Sequence, residues 1–199
     1  MMGLLGIVIA YLLGSIPFGY LLTRVTTGRD VRTEGSGNIG ATNVVRAAGR
    51  SVGLATLVLD MAKGFIAVWI AGWLTEGSPG WMADAALAVM AGHAFPVFLH
   101  FKGGKTVATF AGAFLYLMPL PLLATVIVFA IAVAATRYVS AGSLVGAAMF
   151  PLGAWIILHP SLAEMLAAIL GCGFIIYRHL PNLERIRKGS ETPFRWSKQ

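Results

Sequence analysis

Ser36, Asn38, Thr42, Asn43 and Arg46 stand among Gly35, Gly37, Gly40 and Gly49 in TEGSGNIGATNVVRAAGR, residues 33–50 of a chain that is 57% hydrophobic. A second polar group follows in HAFPVFLHFKGGKT, residues 93–106, with His93, His100, Lys102, Gly103, Gly104 and Lys105. A third, RHLPNLERIRKGSE at 178–191, holds His179, Asn182 and Glu191. Amides flanked by glycine, hydroxyls, side-chain amides and cations are the parts of an anion cradle: N–H groups converge on an oxyanion, Arg supplies a fork and Lys a point charge. In such a cradle Gly37, Gly40, Gly103 and Gly104 bring backbone donors close to a phosphate. Ser36, Asn38, Thr42, Asn43, Arg46, Lys102 and Lys105 then surround it.

Other chemistries fit these residues less well. GSGNIG, 35–40, matches G-x-G-x-x-G, but the preceding RDVRTE does not read as the strand that a dinucleotide fold requires. GGKT, 103–106, resembles the end of a P-loop, yet Leu99 holds the place of the leading glycine. The His-x₄-Asp pattern of the better-known glycerolipid acyltransferases is missing; His159 and His179 are followed at that spacing by Glu164 and Glu184. There is no G-x-S-x-G, H-E-x-x-H or Cys/His pair, so covalent catalysis is not indicated. Cys172 is alone in AAILGCGFIIY, which leaves no disulfide and no zinc pair and reads as a small packed side chain.

Plainer explanations exist for each polar group. Basic loops mark the cytoplasmic side of any membrane protein. His159 suits a turn beside Pro160, and His100 an interfacial side chain. Asp60 and Lys63 are three residues apart in an apolar segment, hence on one helix face, where they either pair with each other or line a polar cavity.

The elements that must position these groups follow from composition. A 199-residue chain with 12% charged residues and a mean hydropathy of +0.78 lacks the polar surface of a soluble domain. The net charge of +7 is not spread over a wet face, which argues against a nucleic-acid binder. The class is an all-α integral membrane protein. Apolar runs at 3–22, 52–73, 82–101, 141–158 and 162–177 each approach the ~20 residues that a spanning helix needs. Residues 106–135 would overshoot the bilayer as one helix, and Pro119 and Pro121 divide them into two shorter ones.

Charge bias selects between one span and two in that region. With two, Arg24, Arg29, Arg32, Arg46, Arg50, Lys102, Lys105, Arg137, Arg178, Arg185, Arg187, Lys188, Arg195 and Lys198 all face the cytoplasm. Only Lys63, inside a span, remains of the 15 basic residues. The expectation is therefore seven transmembrane helices, the fourth and fifth short, with the N-terminus outside and the C-terminus cytoplasmic. The apolar run at 3–22 has no basic n-region and exceeds a signal-peptide core, so it counts as a span. No internal repeat and no separable soluble domain is evident, and 1–199 reads as one membrane domain.

These motifs closely resemble one family, the bacterial acyl-phosphate-dependent glycerol-3-phosphate acyltransferases (the PlsY family). GSIPFG at 14–19 with SGNIGATNVVR at 36–46, HAFPVFLHFKGGKTVAT at 93–109 and HLPNLERIRKGSE at 179–191 lie in the order of the family's three motifs. Leu180 and Pro181 depart from the polar residues expected there. The resemblance implies transfer of a fatty acyl group from acyl phosphate to the sn-1 hydroxyl of glycerol 3-phosphate, giving lysophosphatidic acid and phosphate without an acyl-enzyme. It implies catalytic roles for Ser36, Arg46, Lys105, His179 and Asn182, with His179 as base or orienting group. Gly37, Asn38, Gly40, Thr42, Asn43, Lys102, Gly103 and Gly104 would bind substrate, and Asp60, Lys63, His93 and Glu191 would support them.

No metal ligand set or other cofactor is expected. The expected partners are the two substrates and membrane lipid, with no nucleic acid and a monomeric chain. A membrane transporter for a phosphorylated solute is the alternative, although inverted halves and outward-facing basic residues are missing. A CDP-alcohol enzyme would need an aspartate cluster that the eight scattered acids do not form.

Overall fold

Apolar runs punctuated by proline and glycine fold into ten α-helices among the described residues, 1–193, of the computed structural model. Arg195 and Lys198, counted above among the cytoplasmic cations, lie outside the described residues. The helices fall into two compact units, residues 1–117 and residues 118 onward.

The first unit contains α1 (Met2–Ser15), α2 (Phe18–Thr27), α3 (Ala41–Ala48), α4 (Arg50–Leu74), α5 (Pro79–Ala94) and α6 (Val107–Leu117). Where one span was expected at 3–22, the chain runs helically from Met2 to Thr27 with a break at Ile16–Pro17. Pro17 has no N–H to donate and forces Ile16 into extended backbone, φ −65° and ψ 113°, so the helix stops and restarts.

α1 turns Gly6, Ala10 and Gly14 inward and leaves Leu4, Leu5, Val8 and Leu12 exposed. This inverts the soluble pattern. Lipid is as apolar as leucine, so helices associate through small residues that let backbones approach. Two reciprocal crossings show it. A Cβ on Gly14 would strike the Val89 carbonyl oxygen of α5, and one on Gly92 would strike that of Tyr11 in α1. Between α4 and α6, Gly64 meets the Thr109 carbonyl and Gly112 that of Met61 in the same way.

The second unit contains α7 (Pro119–Thr136), α8 (Val139–Leu158), α9 (Leu162–Arg178) and α10 (Leu180–Arg187). The long apolar run does divide, at Met118, with φ −142° and ψ 67°. α6, with 11 residues, covers about 16 Å and is short. The expectation of a short fifth helix is corrected: α7 has 18 residues and is long and apolar enough to cross. It gains this length because Pro119 and Pro121 sit within its first turn, where N–H groups have no intrahelical partner to lose. Among the described residues, five helical stretches are long and apolar enough to cross, with α1 and α2 counted together, and six if α9 and α10, bent by 49°, form one span. Ser161 and Glu164 form a capping box on α9, with the Glu164 carboxylate 2.9 Å from the Ser161 nitrogen.

Candidate active site

The first polar loop is built around Asn43, buried on α3. Its side-chain nitrogen donates to the carbonyls of Val31 (3.1 Å), Glu34 (2.9 Å) and Asn38 (2.9 Å), while its oxygen accepts the Ser36 N–H. One amide thus ties both arms of the loop to the helix that follows. The Gly37 N–H donates to the Glu34 carbonyl, and the Gly40 N–H to the Asn38 side-chain oxygen at 2.7 Å. Gly35 and Gly37 take left-handed conformations, φ 53° and 70°, and a side chain on Gly35 would also press on the Asn43 oxygen at 2.5 Å.

The second loop folds back on the end of α5. Gly103 and Gly104 donate their N–H groups to the carbonyls of Ala94 (3.1 Å) and His93 (3.0 Å), which the helix would otherwise leave unpaired. A Cβ on Gly104 would run into the His93 ring at Nε2, and one on Gly103 into the His93 carbonyl. Thr106, which carries the chain from Lys105 into α6, has φ 64°, uncommon for a β-branched residue, and its buried hydroxyl has no hydrogen-bond partner among the described residues.

These bonds engage the backbone donors of the expected cradle within the protein. The N–H groups of Ser36, Gly37, Gly40, Gly103 and Gly104 point into the protein and hold the loops in shape. Asn43 is likewise turned inward. What the loops present outward is side chains: Ser36, Arg46 and Lys102 are exposed, and Asn38, Thr42 and Lys105 half-buried. The acids of the first loop face its other cations, Glu34 lying 3.4 Å from Arg29 and Asp30 2.7 Å from Arg32. The hydrogen bond from Arg32 holds the Asp30 carboxyl below its ordinary value.

The two loops share one foundation. Val31, Ile39, Val44 and Ala47 from the first pack with Leu99 from the second in a single buried apolar cluster, flanked by Tyr20, Ala48 and Val52. The α1–α2 break joins them: Gly19 lets α2 approach the Ile39 carbonyl so closely that a Cβ would strike it. Beneath lies a buried polar group. Lys63 Nζ is 2.7 Å from Asp60 Oδ1, 2.9 Å from His93 Nδ1 and 2.9 Å from the carbonyl oxygen of Ile16.

In the second unit Glu191 gathers the tail. Its carboxylate accepts from Ser140 Oγ (2.8 Å), Asn182 Nδ2 (2.7 Å) and Arg185 Nε (2.7 Å). Burial alone would raise this carboxyl, but the bonds from Arg185, Asn182 and Ser140 outweigh it and the value is lowered. His179, 3% exposed, lies at the α9–α10 junction with Nδ1 2.8 Å from the Ile175 carbonyl. A carbonyl only accepts, so Nδ1 carries a proton, and in the neutral ring Nε2 then holds the lone pair. Pro181 causes no disorder here, since it occupies the first turn of α10.

The glycerol-3-phosphate acyltransferase family model matches residues 4–189. The chain belongs to the glycerol-3-phosphate acyltransferase family. The acyltransferase of Desulforamulus reducens is 46% identical over 92% of this chain and 90% of its own. That of Geobacter sulfurreducens is 46% identical, covering 94% and 95%. The structure is similar to that of PlsY, an integral membrane glycerol 3-phosphate acyltransferase, in its glycerol 3-phosphate form. That match has TM-score 0.92 and 36% identity, over 98% of this chain and 96% of the other. The lysophosphatidic acid form gives TM-score 0.88 and 35% identity, with the same coverage.

As a glycerol-3-phosphate acyltransferase, the chain places its motif residues in two kinds of position. Ser36, Arg46 and Lys102 are exposed and Lys105 half-buried, while His93 is buried together with Asp60 and Lys63, which lie outside the motifs. Reasoning from sequence gave His93 a supporting part but missed the inward turn of Asn43 and the use of Ile16 as an acceptor. Only Pro17, which breaks a helix and exposes a carbonyl, carried a signal for the last.

Proposed function

We propose that this acyltransferase moves a fatty acyl group from an acyl phosphate to the sn-1 hydroxyl of glycerol 3-phosphate. The products are lysophosphatidic acid and inorganic phosphate, the first step of phospholipid synthesis. The single observation that carries the chemistry is the Leu99 cluster, which founds α3, bearing Arg46, and the loop bearing Lys105 on one apolar base. One substrate is a soluble dianion and the other a phosphate on a membrane-borne chain. Meeting without repulsion requires concentrated positive charge that also receives the leaving phosphate.

In this scheme the glycerol hydroxyl oxygen attacks the acyl carbonyl carbon and the bond from that carbon to the phosphate oxygen breaks. Arg46 and Lys105 neutralise phosphate and polarise the carbonyl, with Ser36 and Asn182 orienting the substrates. An acyl phosphate is already an activated anhydride, so no acyl-enzyme is needed. The hydroxyl proton passes to a substrate phosphate oxygen or to Nε2 of His179, whose lone pair the Ile175 carbonyl fixes by holding Nδ1–H. PlsY in its glycerol 3-phosphate and lysophosphatidic acid forms supports the same acceptor and product here.

In this proposal the reaction lies at the cytoplasmic face of a bacterial inner membrane that a monomer crosses seven times, N-terminus outside. Support comes from the cations, which are confined to alternate loops. The transporter alternative loses its candidate path, because Asp60 and Lys63 are buried against each other and His93. The test is to incubate purified protein with acyl phosphate and glycerol 3-phosphate, without coenzyme A or acyl carrier protein. Lysophosphatidic acid and phosphate in equal amounts are expected. Product formed only when a thioester donor is supplied would overturn the acyl-phosphate assignment.

A further inference from the structure

Asp60 and Lys63 lie outside all three motif segments, yet each is 2% exposed in an apolar unit. The Lys63 ammonium has hydrogen-bond partners in His93 Nδ1 and the Ile16 carbonyl, each at 2.9 Å, and forms an ion pair with Asp60 Oδ1 at 2.7 Å. Phe18 adds its ring face at 5.6 Å. The one positive and one negative charge balance, which is the condition for burying either. Ile16 is available as an acceptor because Pro17 breaks the helix there.

The consequence reaches the second loop through His93. A lysine N–H directed at Nδ1 requires the lone pair on that nitrogen, so the ring carries its proton on Nε2. Nε2 is the atom against which Gly104 is packed, one residue before Lys105. The His93 carbonyl meanwhile accepts the Gly104 N–H at 3.0 Å. Ring and carbonyl of one histidine therefore clamp the turn from two sides, and Lys63 sets the ring's protonation and orientation.

We propose that Asp60, Lys63 and His93 are positioning residues for the reaction. The ion pair fixes His93 as its Nε2–H form, and His93 fixes the Gly103–Gly104 turn that aims Lys105. This rests on the role given above to Lys105, but the form of His93 is measurable without any turnover.

Two substitutions separate positioning from mere support. A glutamine at 93 reaches the place of Nε2 and can keep an N–H toward the turn, while giving up the acceptor for Lys63. An asparagine reaches only the place of Nδ1, keeping the acceptor and giving up the turn. Positioning through the turn has His93→Gln within about fivefold of the parent kcat and His93→Asn at least about twentyfold below it. That difference should persist although His93→Asn melts no lower. A purely structural role gives the reverse order, with activity following stability, and that result would overturn the proposal.

Independently, ¹⁵N-histidine NMR of the detergent-solubilised parent should show His93 unprotonated at Nδ1 and protonated at Nε2. The opposite form would overturn the proposal even if neither variant folds. A parent that shows this form but no acyl transfer would instead count against the assigned reaction alone.

Discussion

The side-chain oxygen of Asn43 accepts the Ser36 N–H at 2.9 Å, so the first residue of the SGNIG segment hangs from the helix that follows it. The same amide donates to three carbonyls of the loop. Asn43→Asp replaces that donor with a second acceptor facing them, and Asn43→Ala removes the partner of the Asn38 carbonyl and of the Ser36 N–H, while the Val31 and Glu34 carbonyls keep the N–H groups of Glu34 and Gly37. Each buried unpaired group costs about 1–3 kcal/mol, so a loss of about 2–4 kcal/mol is expected. Trypsin should then cut the loop at Arg32 or Arg46 faster than in the parent, with activity falling at least about tenfold. Unchanged cleavage would show that the loop does not depend on this amide.

The reciprocal glycines of α4 and α6 give a stability test free of chemistry. Gly64→Ala and Gly112→Ala each push a methyl into a backbone carbonyl of the other helix. Overpacking of this kind costs about 1–3 kcal/mol. At Gly153 and Gly173 a Cβ meets nothing within 4 Å, and alanine there should be neutral or slightly stabilising. Melting temperatures in detergent read the difference directly; equal melting for all four would contradict the close crossings.

Glu191 makes the tail acid-sensitive. Its folded value lies below the ordinary one of 4.5, because the bonds from Arg185, Asn182 and Ser140 outweigh the effect of burial. A lowered carboxyl contributes stability that is fully present above the unfolded value and lost as pH falls through the folded one. The parent should hold its tail between pH 6 and 8 by expectation and lose that contribution below about pH 4.5. Glu191→Gln should melt lower near neutrality, by about 2 kcal/mol of lost charged hydrogen bonding, and lose the acid dependence. An unchanged acid limb in that variant would assign it to another group.

Topology is tested by side-specific labelling. With Cys172→Ala as background, cysteines at exposed Arg32 and Lys188 should react with a membrane-impermeant maleimide only from the cytoplasmic side. A cysteine at exposed Glu76 should react only from outside. Arg32 and Lys188 labelling from opposite sides would reject the seven-span orientation.

Much of the fold was legible because lipid imposes one rule on every span, a long apolar run with its backbone bonds satisfied internally. The break at LMPLP could be read from its prolines, but the full length of α7 could not, since a proline tolerated in a first turn looks the same in sequence as one that ends a helix. The site was legible as an inventory: the motif segments and their cations were found by type and spacing. The direction of each donor was not. Nothing in the sequence says that the N–H groups of Gly103 and Gly104 close the end of α5. Asn43 looks like a ligand until three carbonyls are found around it, contributed by residues up to twelve positions away.

The most direct test of the chemistry is phosphate release from acyl phosphate and glycerol 3-phosphate by purified Arg46→Ala and Lys105→Ala, compared with the parent at matched melting temperature. Each substitution should lower kcat/KM by about a hundredfold or more, the scale on which removal of a preorganised charge-stabilising donor acts. Folded variants releasing phosphate at the parent rate would remove these two cations from the reaction, and with them the mechanism built on the two loops.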